Sequence, residues 1–274
     1  QKILDRMKML QDLPEDTVDQ VKDKERLFLQ LKESDEYGRI TVMADVNTGL
    51  RFLNLDFNAI RNRYMNLVNE AYYGNQKEWI SRSNQPWVKQ ALHEATKRKF
   101  FNWEMEYPEI FFENGVKKEN PGFDAVIGNP PYVRIYRGRI AEEDVKFLAD
   151  NYQSAHMKFD LYVVFMELGL NLTAKGGYFG MIVPDKWTVS PYGEPLRKQI
   201  LSFRLQELAD LRGTRVFDDA SVENVIPIVM KTPLNDEESI PAESGIVTIK
   251  KFDTLTGELT DASKIPQQFF LELP

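Results

Sequence analysis

The 274-residue chain contains no cysteine. That excludes a disulfide framework and any thiolate-held metal, and it suits a reducing compartment, so a cytoplasmic location is expected. Histidine is nearly absent: His93 and His156 are far apart in sequence, so metal catalysis is not expected. No apolar run approaches the roughly 20 residues that cross a bilayer, so no membrane role is expected. Basic residues are outnumbered, with 35 Lys and Arg against 42 Asp and Glu and a net charge of −7. That excludes a generic coat for nucleic acid, which needs cations against phosphate. It leaves room for local clusters: Arg134, Arg137 and Arg139 form one, Lys97, Arg98 and Lys99 another. The second reads as the solvated end of a helix, where positive charge is favourable. For the first, phosphate contact and simple solvation stand level. The first residue is Gln and no signal-like segment follows, so the chain reads as a piece of something longer. One further shortage matters below: no Gly-x-Gly triplet occurs before residue 129.

What is present begins with a hydrophobic content of 42%, enough for one large domain or two modest ones. The first hundred residues read as helices. A first helical stretch runs to about Glu36, with Pro14 placed to start a new helix and Val18, Val21, Phe28 and Leu31 as its stripe. From Arg39 to Leu55, helical spacing outweighs a turn at Asn47-Thr48-Gly49. Asp56 reads as the cap of a helix ending at Gly74, and another helix spans about Pro86 to Lys99. Phe101, Trp103, Met105 and Tyr107 then alternate with polar residues, which predicts a half-buried extended segment broken by Pro108. Glu104 and Glu106 fall on its solvated face.

The chemistry concentrates at Phe123-Asp124-Ala125-Val126-Ile127-Gly128-Asn129-Pro130-Pro131-Tyr132. Ala125 to Ile127 reads as a buried strand. Two prolines, each without an N–H and with φ fixed, stop the ladder, so the strand ends in a stiff loop at its carboxyl end. In open α/β sheets that edge is where ligands bind. Asn129 offers an amide oxygen and Pro130 a backbone carbonyl. Two acceptors side by side match the two hydrogens of a planar –NH2 group. Holding both hydrogens out of plane returns electron density to a poor nucleophile and aims it at an electrophile. Tyr132 adds a flat face on which a flipped base can stack. Asp124 lies at the opposite end of the strand, where a structural role is expected.

This segment resembles motif IV of the amino-group methyltransferases that use S-adenosylmethionine, in the Asn-Pro-Pro-Tyr form typical of N6-adenine methylation. A second unit follows: Asp160-Leu161-Tyr162, then Phe165, Gly176-Gly177 and Ile182-Val183-Pro184 with Trp187. It resembles motifs V and VI of the same enzymes. Together with the aromatic and acidic stretch before residue 123, these features are similar to the large adenine methyltransferases of restriction-modification systems, including those fused to endonucleases (type IIG). The resemblance implies an α/β fold, a partial Rossmann-like class I methyltransferase sheet with an N-terminal helical region. It implies S-adenosylmethionine as cofactor, double-stranded DNA as partner, and an endonuclease or specificity module in the same polypeptide or complex. It implies Asn129, Pro130, Pro131 and Tyr132 as the catalytic set, with Tyr132 and Phe217 on either face of the adenine. Phe165 is nominated against the cofactor's adenine. Phe165 and Phe217 each have a plain core role as the other reading. Lys186 and Trp187 stand between contact with DNA or substrate and a packed Trp with a solvated Lys beside it.

Around these motifs, Ala141 to Asp150 reads as a short helix. Asp160 reads as the cap of the next one, with Leu161, Phe165, Leu168 and Leu172 as its buried stripe and Gly176-Gly177 as its end. Tyr178 to Val183 and Leu205 to Leu211 read as strands, with a helix from Gly193 to Ser202 between them. Pro227 demotes the run Val225 to Met230 to an edge strand or marks a bulge. Lys231 to Gly245 reads as a linker and Ile246 to Phe252 as a short strand. The domain reading is therefore residues 1–100 helical, 101–232 the catalytic half of a methyltransferase, and 233–274 a linker and the start of a target-recognition module. Only Gly lets a backbone pass close to the cofactor after the first strand of such a sheet. The missing Gly-x-Gly therefore predicts weak S-adenosylmethionine binding by this chain alone, and a sheet edge that something else covers. Two other readings stand beside the DNA enzyme: the same chemistry on a protein glutamine or on RNA, and a non-catalytic scaffold that keeps the loop.

Overall fold

The structure is a computed structural model that describes residues 2–53, 57–135, 138–214, 222–233, 245–253 and 256–271. Two compact units divide the chain, Gln1–Glu119 and Asn120–Pro274.

The first unit holds α1 (Lys2–Gln11), α2 (Val18–Lys32), α3 (Asp35–Gly49), α4 (Phe57–Tyr73), α5 (Gln76–Ser83), α6 (Pro86–Arg98), the single turns α7 (Trp103–Glu106) and α8 (Pro108–Phe111), and a small ribbon of β1 (Phe112–Glu113) and β2 (Val116–Lys117). Its core gathers Val46, Leu50, Ile60, Leu67, Trp79, Val88 and Ala91. α2 starts at Val18 rather than at Pro14. Thr17 and Gln20 form a reciprocal capping box there, which satisfies two donors that a helix begun at Pro14 would leave to chance. Asn47-Thr48-Gly49 stays helical. Gly49 has no Cβ because one would sit 2.3 Å from the Ala91 carbonyl oxygen, so α3 and α6 cross there in close contact. Asp56 lies outside the described residues.

The alternating stretch from Phe101 is not extended. It forms α7 and α8, and the backbone N–H groups of Met105 and Glu106 both turn back to the Asn102 carbonyl. Trp103 and Tyr107, four residues apart, stack at 6.1 Å with Phe101 edge-on to Trp103. Ring contacts at helical spacing outweigh a period-two pattern only four repeats long.

In the second unit, the strands are β3 (Phe123–Gly128), β4 (Thr173–Met181), β5 (Val183–Pro184), β6 (Phe203–Asp210), β7 (Asn224–Pro233), β8 (Ile246–Asp253) and β9 (Glu258–Pro266). The helices are α9 (Glu142–Asn151), α10 (Leu161–Leu172), α11 (Glu194–Leu201) and α12 (Gln267–Leu271). The sheet runs β3-β4-β7-β6-β8-β9, with β5 beside β7. β3 is parallel to β4, β7 is antiparallel to both β4 and β6, and β8 is parallel to β6. The carboxyl ends of β3, β4, β6 and β8 therefore share one edge with the start of β7. α10 and α11 cover one face, burying Tyr162, Val163, Met166, Leu170, Leu196 and Ile200 with Phe179, Met181, Leu205 and Val229. The run Ala125 to Ile127, expected to be buried, is not: β3 is the terminal strand, Ala125 is exposed, Ile127 is 87% exposed, and Val126 alone of the three packs against this core.

Several expectations for this unit are corrected. β7 is an internal strand, so Pro227 does not mark an edge; the bulge it also signals lies beside it, where the register of β7 against β6 shifts between Leu205 and Glu207, opposite Val229 and Ile228. The pairing of β7 with β4 ends at Ile228 and resumes with β5 only at Val225, so on that side no neighbour asks Pro227 for an N–H. The stripe Leu161, Phe165, Leu168 and Leu172 is the less buried side of α10, while Tyr162, Val163, Val164, Met166, Gly169 and Leu170 are buried. α10 is apolar nearly all round, so periodicity could not say which side meets the sheet. The helix also ends at Leu172, before the glycines. Lys231 Nζ donates to the Asn171 and Thr173 carbonyls at 3.2 and 2.5 Å and supplies the charge favoured at a helix C-terminus. β8 and β9, in the stretch assigned to a further module, extend the same sheet. α12 is tied back by Gln267, whose side chain accepts from Leu205 N and donates to the Leu201 and Phe203 carbonyls.

Candidate active site

β3 and β4 run in register from Ala125↔Tyr178 to Gly128↔Met181, so both chains leave the sheet side by side. The next residue on the β4 side, Ile182, holds the loop that leaves β3. Its N–H donates to the Gly128 carbonyl at 3.1 Å, and its carbonyl accepts from the Tyr132 hydroxyl at 3.0 Å. One peptide segment thus grips both ends of Asn129-Pro130-Pro131. Between those grips Asn129 and Pro131 are exposed and Pro130 is buried. Burial pushes the Tyr132 phenol above its ordinary range, so it stays a neutral donor. One residue further on, the Val133 carbonyl accepts the Leu161 N–H at 2.8 Å, and Arg134 pairs with Asp160 as an isolated antiparallel bridge. The stiffness expected from two prolines is therefore reinforced at three points by backbone or near-backbone bonds.

A layer of tyrosines lies beneath. Tyr162 is fully buried, with its ring edge-on to Tyr132 at 6.3 Å. Its hydroxyl lies 2.8 Å from that of Tyr192, and Tyr192 reaches the Asp160 carboxylate at a long 3.5 Å. Burial raises the Asp160 carboxyl above its usual range, while the Arg134 and Lys186 charges and the Tyr192 bond pull it back. Asp160 occupies the N-cap position of α10, as its sequence context suggests, but makes no side-chain cap bond. Its carboxylate serves Tyr192 instead.

The turn after β5 is held from behind. Arg197 Nη1 donates to the Trp187 and Ser190 carbonyls at 2.7 and 2.8 Å. Gly193 is required nearby, since a Cβ would lie 2.1 Å from the Trp187 oxygen. Trp187 is buried and Lys186 exposed. Phe165 is 38% exposed, the most open position in the run Leu161 to Leu170. Arg139 is exposed; Arg137 and Phe217 lie outside the described residues. Among the described residues no cluster of His, Asp or Glu is arranged to hold a metal, and no helix is long and apolar enough to cross a membrane.

Sequence reasoning passed over Ile182 and Tyr192. Tyr162 left a usable signal, because a tyrosine on a buried helix face needs a partner for its hydroxyl. Tyr192 left none.

Residues 21–217 match the family model described as the Eco57I restriction-modification methylase. The chain belongs to this family. It is 34% identical over 121 residues to the type II methyltransferase M.BstVI of Geobacillus stearothermophilus, covering 44% of this chain and 21% of that protein. It is 38% identical over 99 residues to the type II methyltransferase M.XhoI of Xanthomonas vasicola, covering 35% and 17%. It is 31% identical over 91 residues to the type II restriction enzyme and methyltransferase RM.Eco57I of Escherichia coli, covering 33% and 9%. These matches span about a fifth of those relatives or less. In three dimensions the type IIG restriction endonuclease BpuSI gives a TM-score of 0.40 at 16% identity, covering 60% of this chain and 20% of that one. Likeness at that level assigns nothing further.

Proposed function

We propose that this Eco57I-type chain is the catalytic portion of a DNA methyltransferase in a restriction-modification system, and that it acts on the N6 amine of a flipped-out adenine. The observation that carries this reading is the doubly gripped Asn129-Pro130-Pro131 loop at the carboxyl edge of the sheet. An exposed Asn side chain beside a buried proline peptide, fixed at both ends, suits a rigid pair of acceptors for an –NH2 group. In this reading Asn129 Oδ1 and the Pro130 carbonyl accept the two amine hydrogens, Pro131 keeps the loop from yielding, and Tyr132 offers its ring to the base. Drawing both hydrogens toward fixed oxygens localises the nitrogen lone pair along the direction of attack. As the N–C bond forms and the donor's S–C bond breaks, the surplus amine proton is hydrogen-bonded to these oxygens and then passes to solvent. Preorganised acceptors of this kind need not reorganise as charge develops.

S-adenosylmethionine would supply an electrophilic methyl group. The residues here fit one flank of it: Phe165 has an open ring on an otherwise buried helix segment. The chain before Asn129 offers no Gly-x-Gly for the close backbone passage the other flank needs. Partners follow the same reading: double-stranded DNA, and a cleavage or specificity module acting with it. In the intact protein, Asn129→Ala is expected to lower methyl transfer to unmethylated DNA by roughly 10²–10³-fold, with the melting temperature unchanged. Full activity in that variant would remove this reading.

A further inference from the structure

We propose that Asp160, Tyr192 and Tyr162 are positioning residues that hold the Asn129–Tyr132 loop at its working height. This inference rests on the loop being the amine-binding element. Tyr162 and Tyr192 share a 2.8 Å hydroxyl contact, and Tyr192 continues to Asp160 at 3.5 Å. Because the carboxylate can only accept, the direction of donation is set: Tyr192 gives its proton to Asp160, and Tyr162 gives its own to Tyr192. The chain of bonds thus joins Tyr192, just before α11, to both Asp160 and Tyr162 at the start of α10.

Both ends of that chain touch the loop. Tyr162 packs edge-on to Tyr132. Asp160 pairs through its backbone with Arg134, and the next N–H, that of Leu161, holds the Val133 carbonyl. Tyr162 is fully buried, so its hydroxyl has no water to fall back on. Removing Tyr192 Oη leaves it short of a partner, and removing the Asp160 carboxylate takes from Tyr192 the acceptor that orients it, so either change loosens the layer under the Tyr132 ring. A displacement there, of less than an ångström, is enough to spoil a near-attack arrangement.

The test uses the intact protein carrying Tyr192→Phe, Asp160→Ala, Asp160→Asn or Asn129→Ala. Turnover is measured on unmethylated genomic DNA with labelled S-adenosylmethionine, separating kcat from KM. Backbone amide exchange over residues 128–134 is measured without DNA or cofactor. Tyr192→Phe and Asp160→Ala are expected to lower kcat roughly ten- to a hundredfold with KM within about twofold. Amide exchange at 128–134 is expected to quicken by about tenfold. Asp160→Asn keeps an acceptor oxygen for Tyr192 and should restore most of both. Normal kcat and exchange in Tyr192→Phe and Asp160→Ala, alongside an inactive Asn129→Ala, would overturn the network while leaving the loop's role standing. So would a rise in KM alone, or a Asp160→Asn as impaired as Asp160→Ala. An active Asn129→Ala would instead remove the underlying reading, and that result is distinct from the others.

Discussion

Tyr132 faces two demands. Its ring is the surface proposed for the base, and its hydroxyl is already committed to the Ile182 carbonyl. The two can be separated by substitution. Tyr132→Phe keeps the ring and deletes one neutral hydrogen bond of about 1 kcal/mol, so kcat is expected to fall roughly fivefold with little change in DNA binding. Tyr132→Ala removes ring and bond together and should weaken DNA binding as well; steady-state kinetics with separate KM values check both. At this scale the sequence was legible where chemistry and stiffness coincide in adjacent residues. The two prolines announced the loop that leaves β3 without reference to anything distant. Tyr192 became part of the site only by folding across 30 residues to meet Tyr162, and nothing in its neighbours says so.

Elements were legible in kind and less so in their ends. The helices from Pro86 and from Glu194 begin with the proline expected in a first turn. The end of α10 was misplaced because its terminal carbonyls are satisfied by Lys231, about 60 residues later, rather than by the local glycines. Burial lowers the Lys231 ammonium pKa, and the ammonium faces the two carbonyls. Lys231→Met, which keeps the packing length and removes the donor, is expected to destabilise the protein by about 1–2 kcal/mol. Chemical denaturation would register this as a lower midpoint with an unchanged slope. The aromatic stretch from Phe101 teaches the same lesson from the other direction. Its alternation was real, but ring stacking between Trp103 and Tyr107 at helical spacing set the backbone.

For the whole molecule, the α/β class followed from the resemblance, and the placing of the loop at a strand's carboxyl edge from the apolar run and the two prolines after it. Which strands lie inside the sheet did not, since Pro227 reads equally as an edge signal or a bulge, and β7 turns out internal, with a gap between β4 and β5 on one side and a register shift against β6 on the other. That same edge carries a charge pair with a global effect. Arg212 donates to both oxygens of Asp210 at 2.8 Å, and the Asp210 side chain is 12% exposed. The guanidinium and the backbone N–H of Arg212 hold the carboxyl below its ordinary range, against burial. A group whose folded pKa is lowered contributes stability above its unfolded pKa, and that contribution fades as pH falls through the folded value. Asp210→Asn should therefore be less stable than the parent by about 1–2 kcal/mol at neutral pH. The gap should close below the normal carboxylate range, as thermal melts at several pH values would show. The grip at Ile182 has a different consequence. It is made with atoms that every residue but proline carries, so the side chain at 182 is free to vary while its peptide is not. A survey that trims side chains one by one would score this position as unimportant, although the geometry of the loop is set there.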